Sequence, residues 1–224
     1  NHSTIWSIIM ANYHDIRYDF AIPSGADVGD MILIKTLTAS DDGTLSFVDG
    51  ASDVVLDSTY KTYVFKFINV NPVSGASNPK FQFNGSDDAS SHSYDVQKTT
   101  TCIQSWHKED GTNSGVLYNT SFDLSESDNT DYGIVGTNFQ SLNFGDGNVD
   151  ADANGGGELW LFNPSSTTYV THFQANFNNC ASDPSTENDR VAGYFNVTAA
   201  ITALQFKYSS GNIESGKIKL YGIA

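Results

Sequence analysis

Apolar and polar residues alternate along most of this 224-residue chain with a period near two, the spacing of pleated strands rather than helices. Met31-Ile32-Leu33-Ile34-Lys35-Thr36-Leu37 is too short for a buried helix and rich in β-branched residues, so it predicts a strand. Asp41-Asp42-Gly43 predicts a turn into a strand over 44–48, with Leu45 and Phe47 on one face. The clearest strand of the first half spans 60–70. There Tyr63, Phe65 and Phe67 share one face and Val64, Lys66, Ile68 and Val70 the other, until Asn71-Pro72 ends the run. Both faces are mostly apolar, which predicts a central strand. Alternation returns over 80–83, and the polar stretch 84–93 reads as a loop. Weaker strands are expected over 94–103, 115–122 and 139–144, with the polar stretches 108–114 and 123–132 running over the surface.

The second half carries the stronger pattern. Glu158-Leu159-Trp160-Leu161-Phe162 is followed by a turn over 163–166. Tyr169, Thr171, Phe173, Ala175 and Phe177 then face one way, against Val170, His172, Gln174 and Asn176, as in a sheet with one wet side. Strands are expected over 192–197 and 203–208, and a closing hairpin over 213–221 with Ser215-Gly216 as its turn. About ten strands with turn signals roughly every 8–15 residues, and no amphipathic helix, predict an all-β fold. The expected architecture is a two-sheet antiparallel β-sandwich of jelly-roll type. Residues 10–224 form its single domain and residues 1–9 an N-terminal extension or linker.

Composition sharpens this picture. The 26 acidic and 11 basic residues leave a formal charge of −15. Such a surface repels phosphate backbones and anionic lipids, so neither nucleic acid nor a membrane is an expected partner. No stretch approaches the ~20 apolar residues of a membrane-spanning helix. The 14 Phe, 11 Tyr and 3 Trp exceed what turns require and fit half-buried sheet surfaces. Cys102 and Cys180 are too few for a disulfide scaffold. Buried free thiols are the default for them, with pairing left open.

Catalytic motifs are missing: no Gly-x-Ser-x-Gly elbow, His-Glu-x-x-His, P-loop or Cys-x-x-Cys occurs. His2, His14, His92, His107 and His172 are scattered. His107, beside Trp106 and ahead of Glu109 and Asp110, is the most suggestive; with Trp106 it forms the candidate glycan-binding pair, although a strand-end histidine above an acidic turn explains it equally. The stretch Asp146, Asn148, Asp150, Asp152 and Asn154 is the candidate calcium loop. Its twelfth position from Asp150 is Leu161 rather than a bidentate glutamate, and three glycines precede Glu158, so a flexible acidic loop is the plainer reading. No cofactor is required, calcium being the one candidate. Glu109, Glu126, Glu158, Glu187 and Glu214 offer too many pairings to single out a glycosidase dyad. Trp160 sits in a strand pattern, where packing is the default.

Several stretches together carry a resemblance: Asn12-Tyr13-His14-Asp15-Ile16-Arg17-Tyr18-Asp19, Leu33-Ile34-Lys35-Thr36, residues 57–69, residues 157–168 and the close over 205–222. Their wording resembles virion structural proteins of marine tailed bacteriophages, from about Met10 onward and least at residues 1–9 and 146–157. The resemblance implies a β-sandwich subunit on the virion exterior, assembled in the host cytoplasm, forming a homotrimer and contacting other virion proteins. It supplies no catalytic residues. The Asn-x-Ser/Thr sequences at Asn1, Asn84, Asn119 and Asn196 carry no meaning in that setting.

The leading expectation is a non-enzymatic virion component: capsid decoration, fibre or tail appendage. A carbohydrate-binding, receptor-binding module for host-surface glycans is the alternative, and a polysaccharide depolymerase comes third.

Overall fold

The computed structural model describes residues 30–125, 136–145, 147–150 and 152–224. Among them it holds twelve strands and no helix. In chain order these are β1 (Met31–Thr38), β2 (Leu45–Val48), β3 (Thr62–Pro72), β4 (Phe81–Ser86), β5 (Lys98–Lys108) and β6 (Ser114–Tyr118). They are followed by β7 (Gln140–Ser141), β8 (Gly155–Phe162), β9 (His172–Ala181), β10 (Ser185–Phe195), β11 (Ala203–Tyr208) and β12 (Ile213–Ile223). An eight-stranded sheet, β1-β12-β3-β8-β9-β10-β5-β6, packs against a four-stranded sheet, β2-β11-β4-β7. The expected all-β, two-sheet antiparallel sandwich is therefore observed.

The pairing has a simple logic. β1 pairs with β12, β2 with β11, β3 with β8 and β4 with β7, all antiparallel. The chain runs out through β1 to β4 and returns along itself, as one long ribbon whose successive segments alternate between the sheets. Two hairpins, β5-β6 and β9-β10, are inserted into this ribbon and widen the larger sheet. The turn at Asp41-Asp42-Gly43 is accordingly a step from one sheet to the other rather than a hairpin.

One contiguous core fills the space between the sheets. Tyr63, Phe65 and Phe67 point into it from β3, as the alternation predicts, and Leu45 and Phe47 from β2. Phe206 of β11 is the hub: its ring lies 5.2 Å from Phe65, 5.3 Å from Phe67 and 6.1 Å from Phe81, centroid to centroid. These are separations at which ring edges and faces attract beyond simple burial.

The structure departs from the sequence expectations at defined places. β3 bulges between Phe67 and Val70, with Asn69 at a φ of 51°, so Val70 turns into the core instead of sharing a face with Lys66. β12 bulges opposite it, with Gly216 at a φ of +121°. Ser215-Gly216 is thus an irregularity within one long strand, and the expected closing hairpin is not formed. Tyr169 lies in the turn before β9 and is exposed, whereas Thr171 onward follow the expected face. β10 begins at Ser185, well before the expected 192, because its first half is a polar strand. β4 runs to Ser86, into the expected loop, and the expected strands at 94–103, 115–122 and 139–144 become 98–108, 114–118 and a two-residue bridge. The boundary at residues 9 and 10 lies outside the described residues.

Gly155, Gly156 and Gly157 are the start of β8, not a flexible linker. Gly157 backs directly onto β9: a Cβ there would drive into the carbonyl oxygen of Asn176 and the backbone of Phe177. Gly157→Ala should therefore cost about 1–3 kcal/mol by forcing two central strands apart. A urea midpoint unchanged from the parent protein would refute that close approach.

Candidate functional site

The inner face of the large sheet is spent on the core, so recognition chemistry has to come from its outer face, its edges or its loops. Along β8, β9, β10 and β5 the outward residues fall in cross-strand rows. One row reads Glu158, Asn176, Arg190 and Ile103; the next reads Trp160, Gln174, Ala192 and Thr101. Because β9 alternates large apolar residues inward with amides outward, this face is lined by hydrogen-bonding groups held on rigid strands. A groove of about 400 Å³ runs along these two rows.

Trp160 lines this groove on the outer face of the sheet, half-buried, rather than the core between the sheets. Its indole Nε1 donates to Glu158 Oε1 at 2.9 Å, and Lys66 Nζ meets Glu158 Oε2 at 2.7 Å. The Lys66 ammonium, and after it the indole N–H, hold the Glu158 carboxyl below its ordinary range. Glu158 is thus neutralised by Lys66 and fixes the plane of Trp160. Arg190, the single arginine among the described residues, is exposed in the middle of the face, and its guanidinium has no ion pair or hydrogen bond with any described residue.

A second groove, about 420 Å³, lies at the hairpin end of the same sheet. It is lined by His107, Glu109, Asp152, Asn154, Asn178 and Thr186, among others. The fold thus brings His107 beside Asp152 and Asn154, three candidates from two separate stretches of sequence. It separates Trp106 from His107, because neighbours on a strand point to opposite faces. Trp106 packs across Gly115 of β6, where any Cβ would collide with its ring, and its Nε1 reaches Asn113 Oδ1 at 3.4 Å.

The calcium candidates are used mainly as turn structure. Asn148 Oδ1 accepts the Asp150 N–H at 2.9 Å, Asp150 O accepts the Ala153 N–H at 3.0 Å, and Asn154 O accepts the Cys180 N–H at 3.4 Å. Asp146 lies outside the described residues. No group of three His, Cys, Asp or Glu side chains suited to holding a metal ion forms among the described residues.

Glu109 and Asp152, the two carboxylates of the second groove, are both exposed. The burial that turns a carboxyl into a general acid occurs elsewhere, at Glu187 and Asp189 on the inward side of β10. Glu187 Oε2 accepts the Gly145 N–H at 3.0 Å and Asp189 Oδ2 the Phe144 N–H at 2.7 Å, while Asp189 Oδ1 has no partner. Burial pushes Asp189 up to about 8 and raises Glu187 as well. Asp189 is fully enclosed, so no substrate reaches it. Glu214 is exposed, and Glu126 lies outside the described residues. Cys102 and Cys180 are free thiols; burial pushes the Cys102 thiol up to about 12, and Cys180 is half-buried rather than buried.

Comparison of the chain with protein-family models, with curated proteins and with solved structures finds no match.

Proposed function

We propose that the wound ribbon is a jelly roll and that the protein is a non-enzymatic, self-associating component of a phage virion exterior, as capsid decoration, fibre or tail appendage. Jelly rolls recur in capsid and lectin domains, an analogy of fold that needs support from the surface. One observation carries the assembly reading. Of nine large hydrophobic side chains exposed among the described residues, six lie on the two edge strands of the large sheet: Met31, Ile32 and Leu33 on β1, and Val116, Leu117 and Tyr118 on β6. β6 carries no charge, proline or bulge, the usual guards against edge-to-edge pairing. An uncharged apolar edge on a chain of charge −15 is where another subunit approaches at least electrostatic cost.

Quantitative mass spectrometry of purified virions, scaled to the major capsid protein, tests this reading. Copy number near that of the capsid protein assigns it to the head, and a small multiple of three to a tail or fibre. Absence from the particle sinks the proposal. Light scattering should give a trimer that Val116→Lys weakens, since Val116 is 76% exposed and lies outside the core.

A second reading, a carbohydrate-binding module, is favoured by a different observation: the amide-lined groove beside Trp160.

A further inference from the structure

We infer that the outer-face groove binds an anionic saccharide chain, one whose pyranose rings carry carboxylate or sulfate groups, with Trp160 as the stacking surface and Arg190 as the anion anchor. The inference rests on the carbohydrate-binding reading and sharpens it to a ligand class.

The charge pattern carries the argument. In a chain with 26 acidic side chains, an arginine finds a carboxylate easily, yet Arg190 has none among the described residues. The carboxylate nearest it in its row, Glu158, is already taken by Lys66 at 2.7 Å. The groove therefore offers one uncommitted positive charge among amides, a hydroxyl and apolar side chains, with its one carboxylate, Glu158, held by Lys66. Arginine's planar fork suits carboxylate and sulfate oxygens, which it meets with two parallel hydrogen bonds.

The shape agrees. Arg190 is two strands and two residues away from Trp160, which at ordinary sheet spacings puts their Cα atoms about 12 Å apart. That is the reach of a short oligosaccharide lying on the sheet, not of a single small anion. Ala192 leaves the floor between them open, and Gln174 and Asn176 stand exposed along it to meet ring hydroxyls. Trp160 is half-buried and tied to Glu158, so stacking on it costs little side-chain ordering. A nucleic acid fits the same anchor poorly, because its closely spaced phosphates meet the net charge of the whole molecule.

Isothermal titration calorimetry of the full chain tests this with four probes: a uronic-acid oligosaccharide, a sulfated oligosaccharide, a neutral oligosaccharide of equal length, and inorganic sulfate. At least one anionic oligosaccharide should bind, with the neutral one about tenfold weaker or worse and inorganic sulfate undetectable. Arg190→Gln should weaken the anionic ligand about ten- to a hundredfold, the loss of one charge-assisted pair, and leave the neutral one unchanged. Ala192→Leu should block both by filling the floor, and its unfolding midpoint verifies that it folds. Equal affinity for neutral and anionic chains overturns the anionic assignment and leaves carbohydrate binding standing. No binding by any oligosaccharide overturns both. Binding of inorganic sulfate as tight as that of the sulfated chain overturns the saccharide assignment, and an altered oligomeric state in Arg190→Gln would reassign the face to subunit contact.

Discussion

Replacing Phe206 with alanine should remove about 3–5 kcal/mol of stability, the range for a large aromatic taken from a closed core. Its ring touches aromatic rings of both sheets: Phe47 and Phe83 in addition to Phe65, Phe67 and Phe81. β11 is an interior strand of the four-stranded sheet, and its neighbours cannot collapse into the void without breaking their own pairing. A domain of this kind has about 5–15 kcal/mol in total, so the loss takes from about a fifth to nearly all of it. Urea unfolding checks this: the midpoint should fall sharply at nearly constant slope. A loss below about 1 kcal/mol would mean that the sheets close over the site, and that the core is less tightly built than the ring geometry implies.

The same residue shows what was legible in the sequence. Leu204, Phe206 and Tyr208 alternate with Gln205 and Lys207, and β11 lies where that pattern puts it. Strands whose inward side chains are polar carry no such contrast. β10 begins Ser185, Glu187, Asp189, Val191 inward against Thr186, Asn188, Arg190, Ala192 outward; its period is two throughout, but there is no apolar contrast until Val191. The signal that finds it is topological. A strand as long as β9, ending at Ala181, requires an antiparallel neighbour, and Ser182-Asp183-Pro184 is a turn of the right length to supply one. The matched bulges at Asn69 and Gly216 were illegible for a different reason. Gly216 reads as part of a turn and Asn69 as an ordinary strand position, and only their apposition across β3 and β12 shows both to be irregularities of continuous strands.

The candidate site was legible in parts and misjudged in its arrangement. Neighbours such as Trp106 and His107 look like a constellation in sequence, although strand geometry sends them to opposite faces. Trp160 and Arg190 are thirty positions apart, and what unites them is the order β8-β9-β10, which no local pattern encodes. The amides between them were visible as the wet face of β9. What could not be read was that Glu158 would be committed to Lys66 and so leave the Arg190 side chain uncommitted.

The buried ionisable groups predict an unusual dependence of stability on pH, with a minimum near neutrality. Asp189 is raised to about 8 by burial, with Glu187 adding to the rise and the Phe144 N–H and Lys80 opposing it. Its contribution to stability is complete below the ordinary carboxyl range and is lost as pH rises towards about 8. Glu187, also raised by burial, acts in the same sense. Lys98 is fully enclosed, donates to Asn84 Oδ1 at 2.6 Å and Val96 O at 2.9 Å, and is lowered to about 7 by burial, against the pull of Asp95. Its contribution is complete above the ordinary lysine range and is lost as pH falls towards about 7. Each group changes stability by at most about 1.4 kcal/mol per pH unit within its window. Stability should therefore fall between about pH 4 and 8 and recover between about pH 7 and 10. Surface carboxylates such as the half-buried Asp88 and the exposed Asp110, lowered by hydrogen bonds to neighbouring residues, act only at the acid end and weakly. Urea unfolding across this range separates the two arms by difference. Asp189→Asn should flatten the fall on the acid side while leaving the alkaline recovery, and Lys98→Met should do the reverse. Asp189→Asn curves that merely run parallel to the parent's between about pH 4 and 8 would mean that Asp189 keeps its charge inside the sandwich. Its unpartnered oxygen would then have to be satisfied by a cation or by water held against β10.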